Sequence, residues 1–71
     1  MLIHQAVELI LQEENITKAE LAKELGISPG MVSHYSSHGN HYPRLNVARK
    51  IYEQFKIQVE PYTLWSLENK D

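Results

Sequence analysis

The segment TKAELAKELGISPGMVSHYSS, residues 17–37, constrains the fold most, because it contains signals for two helix starts and one helix end. Thr17 and Glu20 have capping-box spacing, in which each side chain accepts a hydrogen bond from the other residue's backbone amide. Gly26 stands where that helix should end, since glycine adopts the left-handed conformation without a Cβ clash. Ser28 and Pro29 then supply an N-cap and a first-turn residue. The segment therefore predicts two short helices, residues 18–25 and 29–37, joined by a tight turn.

Four positions in this segment also have the residue types and spacing of a helix-turn-helix motif. They are a small residue, a turn glycine, an apolar residue and a β-branched residue: Ala22, Gly26, Ile27 and Val32. The segment ITKAELAKELGISPGMVSHY resembles the Cro/C1-type (XRE-like) helix-turn-helix family of phage and bacterial regulators. Later residues that fit the following helices of that family extend the resemblance over nearly the whole chain: Pro43, Leu45, Ala48, Ile51 and the run VEPYTLW at 59–65. The resemblance implies an all-α, five-helix lambda-repressor-like helix-turn-helix domain.

The rest of the chain contains three further helix signals. Apolar residues recur with helical spacing over residues 2–14 and again over residues 45–55, where Leu45 is expected to face the core. Glu60–Pro61 is expected to start a short fifth helix, with proline in its first turn. With 71 residues, the chain is expected to form one DNA-binding domain, residues 1–71.

Composition excludes several other classes of protein. The chain has no cysteine, so it forms neither disulfides nor thiolate metal sites. The longest apolar run, Leu9–Leu11, is far too short to span a membrane, and no signal peptide is visible. These features are compatible with a reducing bacterial cytoplasm, which is the expected location.

The charge distribution is more informative than the formal net charge of −2. No acidic residue occurs from Leu25 to Tyr52, a window that holds six basic or titratable residues: His34, His38, His41, Arg44, Arg49 and Lys50. Such a window suits a phosphate backbone even on a slightly acidic protein. The alternative is chance segregation of charge in a short chain.

The family resemblance also implies which residues contact DNA. Outward residues of the second helix of the motif face the major groove in that family: Ser28, Pro29, Gly30, Ser33, His34 and Ser37. Backbone contacts are implied at the start of the first helix of the motif and in the loop after the second: Thr17, Lys18, Asn40, His41 and Arg44. Serine hydroxyls both donate and accept, so they specify bases weakly, and DNA shape is expected to contribute to recognition.

The histidines raise two other possibilities, a metal site and a catalytic site. His34 and His38 have the i,i+4 spacing of a metal pair, but no nearby Cys, Asp or Glu completes a site. No acid is placed to orient a histidine for nucleophilic catalysis. We therefore expect neither a metal, a cofactor nor enzymatic activity, and we interpret these histidines as surface residues.

Taken together, the residues and the resemblance predict a sequence-specific transcriptional regulator, a phage or prophage Cro-like repressor bound to a pseudo-palindromic operator. The expected partners are double-stranded DNA and a second copy of the chain, with Tyr62, Leu64 and Trp65 at the dimer interface. The alternative is a protein-binding module, such as an antitoxin or antirepressor, on the same helical scaffold.

The proposed crossing of the two motif helices at Ala22 gives a first testable prediction. Ala22→Leu should destabilise the domain by about 1–3 kcal/mol, because a close helix crossing has no room for three more carbons. Thermal unfolding measures the effect. An unchanged midpoint would mean that Ala22 does not lie at a helix crossing.

Overall fold

A computed structural model of the chain describes residues 1–37 and 42–68, and no strand occurs in them. These residues form five helices: α1 (Ile3–Glu14), α2 (Lys18–Leu25), α3 (Pro29–Ser37), α4 (Leu45–Phe55) and α5 (Leu64–Glu68). The all-α, helix-turn-helix fold prediction is confirmed, and α2, α3 and α4 have the predicted bounds.

The turn between α2 and α3 is built as the sequence predicts. The backbone amide of Glu20 donates to Thr17 Oγ1 and the amide of Thr17 donates to Glu20 Oε1, each at 3.1 Å, which completes the capping box. Gly26 has φ +70°, in the left-handed region, and the amide of Ile27 donates back to the carbonyl of Ala22 at 2.9 Å. Ser28 caps α3, since its Oγ accepts from the amide of Met31 at 3.2 Å.

The core is formed by residues from all five helices and from the segment before α5. Ala22 is only 1% exposed, and α3 packs against both α1 and α2, as expected for a close helix crossing. The buried apolar residues are Ile3, Ala6, Val7, Ile10, Leu21, Ala22, Leu25, Val32, Tyr35, Val47, Ala48, Ile51, Val59 and Leu67.

Two local predictions were wrong. Leu45, expected to face the core, is 37% exposed, and Val47 is the buried residue of that turn. Glu60–Pro61 does not start a helix, because both residues lie in a turn. The fifth helix begins three residues later, where Thr63 and Ser66 exchange hydrogen bonds between each side chain and the other's backbone amide, at 3.3 and 2.9 Å.

Hydrogen bonds hold α4 against its neighbours. Gln54 Nε2 donates to the carbonyl of Glu24 at the end of α2, at 3.2 Å. The Tyr52 hydroxyl donates to Glu68 Oε1 at 3.1 Å on α5. Partial burial, followed by the hydrogen bond and the negative charge of Glu68, raises the pKa of Tyr52 above its ordinary value.

Across the described residues, none of the helices has both the length and the apolarity that crossing a membrane requires.

The two glycines of the helix-turn-helix segment, Gly26 and Gly30, should respond differently to replacement by alanine. Gly26→Ala should destabilise the domain by about 1–2 kcal/mol, because a residue with a Cβ is strained in the left-handed region. A Cβ at Gly26 would also lie 3.1 Å from Lys50 Nζ.

Gly30→Ala is the control for this substitution. Gly30 is helical, and among the described residues an added Cβ would meet Ser28 Oγ alone, at an ordinary 3.8 Å. Alanine there should leave stability unchanged or raise it by up to about 1 kcal/mol. Thermal unfolding of both variants measures the difference. Equal effects would contradict the assigned role of Gly26.

Candidate nucleic-acid interface

The candidate interface is centred on the outer face of α3. Val32 and Tyr35 bury the inner face of this helix against α1 and α2. The residues left exposed are Pro29, Gly30, Met31, His34 and Ser37. Because the first two are small or compact, the N-terminal turn of α3 can approach another surface closely.

Hydrogen bonds within α3 limit what its serines can offer to a ligand. Ser28 Oγ accepts a hydrogen bond from the backbone amide of Met31. Its hydroxyl proton can still be donated to a ligand. Ser36 and Ser37 both donate to the carbonyl of Ser33, at 3.0 and 2.7 Å. Ser37 is therefore exposed chiefly as an acceptor, and Ser33 is half-buried rather than fully outward as predicted.

Two basic side chains of the α4 region flank the start of α3. Arg44 is exposed directly before α4, and it lines a cleft together with Ser28, Met31 and Asn46. The Lys50 ammonium reaches the turn between α2 and α3, where it lies 3.1 Å from the position of a Cβ on Gly26. Both cations are thus placed beside the N-terminal half of α3.

Arg49 is placed differently from its neighbours. Its side chain is half-buried, and its Nη2 lies 3.5 Å from the carbonyl of Ser66, so it turns toward α5. Of the two α4 cations in the acid-free window, Lys50 therefore lies beside the helix-turn-helix turn, whereas Arg49 contributes to the packing of α5.

Thr17 and Lys18 are exposed at the start of α2, as predicted. The capping box occupies the Thr17 hydroxyl, which accepts the amide of Glu20 and donates to Glu20 Oε1 at 3.1 Å. The Glu20 carboxylate also satisfies the amide of Thr17 and adds a negative charge at this helix end. Lys18 is therefore better placed than Thr17 to attract a phosphate.

The predicted DNA contacts Asn40 and His41 lie outside the described residues, and so does His38, the second histidine of the possible metal pair.

His34 is exposed on α3, with its ring centroid 6.4 Å from that of Tyr35. Tyr42, two residues before Arg44, is 65% exposed. Within residues 1–37 and 42–68, no group of three or more His, Cys, Asp or Glu side chains is positioned to hold a metal ion.

The structure adds Met31 and Asn46 to the residues singled out from sequence. Met31 is 38% exposed and borders the cleft beside Arg44. It lies on α3 next to buried Val32, and the cleft brings it together with Asn46 of α4, which is 15 residues later in the chain.

A model of the family described as winged helix-turn-helix DNA-binding matches residues 4–37, from the first turn of α1 to the end of α3. These 34 of the 71 residues are similar to that family, and they include the whole helix-turn-helix arrangement of α2 and α3. No curated protein and no solved structure gives a significant match.

The matched segment ends where α3 ends. Beyond it, the described residues 42–68 continue as α4 and α5, without the strands from which a wing is made. The match therefore supports a helix-turn-helix regulator, and it does not single out the Cro/C1-type family.

Proposed function

We propose that the chain is a sequence-specific transcriptional regulator, a small phage or prophage Cro-like repressor that acts by occupying an operator. The observation that carries this proposal is the exposed face of α3 flanked by Arg44 and Lys50, within a helix-turn-helix domain. The window from Leu25 to Tyr52 adds no acidic side chain to repel phosphate. In this proposal residues 1–71 act as one domain in the cytoplasm, without a catalytic step or a cofactor.

Binding of α3 in the major groove assigns a role to each part of its surface. The small first turn at Pro29 and Gly30 approaches the base edges, and Ser28 donates its hydroxyl proton there. Met31 offers an apolar contact of the kind that thymine methyl groups accept, and His34 offers ring nitrogens to a base or a phosphate. Ser37 has fewer free groups, since its hydroxyl donates to the backbone carbonyl of Ser33, and the Ser33 side chain is half-buried.

Phosphate contacts in this proposal surround α3. Arg44 and Lys50 neutralise phosphates beside the first turn of the helix, and Lys18 does so at the start of α2. Thr17, Asn40 and His41 complete the set implied by the family resemblance. Such contacts position the protein without reading sequence, whereas the contacts of α3 with bases specify the site.

We further propose that two copies bind one operator, because a single α3 with small side chains reads few bases. Leu64 and Trp65 are 47% and 72% exposed, so both are available for an interface. Tyr62 is half-buried and donates its hydroxyl to the carbonyl of Pro43 at 2.6 Å, so its share of the interface is smaller. Trp65 is therefore the proposed anchor.

Selection of bound sequences from random duplex DNA tests the function directly. The proposal expects a recovered motif with inverted symmetry and half-sites about one helical turn apart. Recovery of no motif would contradict sequence-specific binding. A motif without inverted symmetry would contradict the two-fold arrangement.

Substitutions in α3 and before α4 should separate specificity from affinity. His34→Ala and Ser33→Ala should change base preference, with a loss of about 1–3 kcal/mol at one position for a lost base contact. Arg44→Ala should weaken binding to all sequences and reduce the salt slope by about one unit. Titrations on cognate and altered duplexes at several salt concentrations measure both effects.

Lys23→Ala is the charge-matched control for Arg44→Ala. Lys23 is exposed on α2 and lines a hollow with Glu20 and Glu24, not the cleft beside α3. Its removal should leave the salt slope unchanged. An equal loss of affinity in Lys23→Ala and Arg44→Ala would show that binding depends only on overall charge. Unchanged base preference in both α3 variants would exclude α3 as the surface that contacts the bases.

Trp65→Ala should abolish cooperative binding of two protomers to one duplex, because truncating a buried aromatic anchor typically costs about 2 kcal/mol or more. Sedimentation with a single operator duplex measures the stoichiometry. One wild-type protomer per duplex would exclude the dimer. Two protomers that bind cooperatively despite Trp65→Ala would place the interface elsewhere.

A further inference from the structure

A groove with an apolar floor and an acidic rim crosses α1, α2 and the end of α4. It consists of two adjoining hollows of about 310 Å³ each, which share Glu14, Gln54 and Phe55. We call it the acidic groove. It has no residue in common with the cleft beside α3, so the two surfaces are separate.

The floor of the groove consists of half-buried apolar side chains. Leu9 comes from α1, Ile16 from the α1–α2 connection, Phe55 from the end of α4 and Ile57 from the segment after it. Ile16, Phe55 and Ile57 pack against the core, and all four side chains are partly exposed to solvent. Covering them would remove apolar surface from water, which favours association with apolar side chains of a partner.

The rim gives this groove its charge. Four carboxylates line it, those of Glu13, Glu14, Glu20 and Glu24, and none of them forms a salt bridge with the residues that the structure describes. Lys56 also lines the groove, but its ammonium lies 5.8 Å from the ring centroid of Tyr52. Lys23 borders Glu20 and Glu24 in the neighbouring hollow. Four negative charges against the positive charges of Lys56 and Lys23 leave the groove acidic.

This combination restricts what can occupy the groove. The negative rim repels a nucleic-acid backbone. The exposed apolar side chains of α5 in a second copy are also a poor match, since α5 with the sequence LWSLE contains no basic residue. An occupant needs apolar side chains for the floor and positive charges for the rim.

We propose that the acidic groove docks a basic amphipathic helix of another protein. A helix that places Leu-type residues at i, i+3, i+4 and i+7 on the floor would carry Lys or Arg along both edges of that stripe. Those cations would lie opposite the carboxylates of α1 on one side and α2 on the other. The regulator would then bind a protein partner through one surface while α3 faces DNA.

A synthetic 18-residue helical peptide with a leucine stripe and lysine flanks is the direct probe. Its binding to the full chain is followed by fluorescence anisotropy at several salt concentrations, without DNA. The proposal expects saturable binding that weakens with salt. A peptide with glutamate flanks, and one with lysine flanks but serine in place of leucine, should each bind much more weakly.

A matched pair of substitutions on α1 locates the binding surface. Glu14→Gln removes a carboxylate that lines both hollows and should weaken peptide binding about threefold, the effect of one exposed ion pair. Glu8→Gln removes the same charge from the same helix outside the groove and should leave binding unchanged. Amide chemical-shift changes on adding peptide should cluster at Leu9, Gln54 and Ile57.

Several outcomes would overturn this proposal. They are undetectable binding of the lysine-flanked peptide, equal binding of the glutamate-flanked peptide, equal weakening by both substitutions, and shift changes centred on α3 or α5. Because the experiment contains no DNA, its failure leaves the proposed operator binding untouched. Conversely, loss of operator binding in the α3 variants has no bearing on the groove.

Discussion

The close crossing of α2 and α3 is the constraint on which the rest of this structure depends. Ala22 supplies the small side chain at the crossing, and Gly26 supplies the left-handed turn that sends the amide of Ile27 back to the carbonyl of Ala22. Once this turn is fixed, Val32 must enter the core and the opposite face of α3 must face outward. The exposure of the candidate DNA-reading surface is therefore a direct consequence of two small residues.

Local signals predicted the helices well wherever the hydrogen bonds that define them are also local. Capping pairs at Thr17 and Ser28 close within three residues, so the starts of α2 and α3 followed from sequence. The prediction failed at Glu60, whose amide donates to the carbonyl of Met1 at 2.9 Å. That partner lies at the other end of the chain, and a first-turn proline signal contains no information about it.

The candidate site was predictable in its residue types but not in its side-chain directions. The acid-free window contains both Arg49 and Lys50, yet Arg49 turns to the carbonyl of Ser66 whereas Lys50 reaches the turn at Gly26. These neighbours on α4 differ because one borders α5 and the other borders α2. Met31 likewise shares a cleft with Arg44 and Asn46, which are distant in sequence, so tertiary packing decides which residues form one surface.

Segregation of charge reconciles a net charge of −2 with the binding of a polyanion. The described domain measures about 30 × 22 × 20 Å, whereas the Debye length at physiological ionic strength is about 8 Å. A phosphate beside Arg44 and Lys50 therefore interacts mainly with these nearby cations, and the field of carboxylates across the domain is screened. The same screening lets the groove on α1 and α2 remain acidic without opposing the proposed DNA contacts. A small regulator can in this way present opposite charges to two different partners.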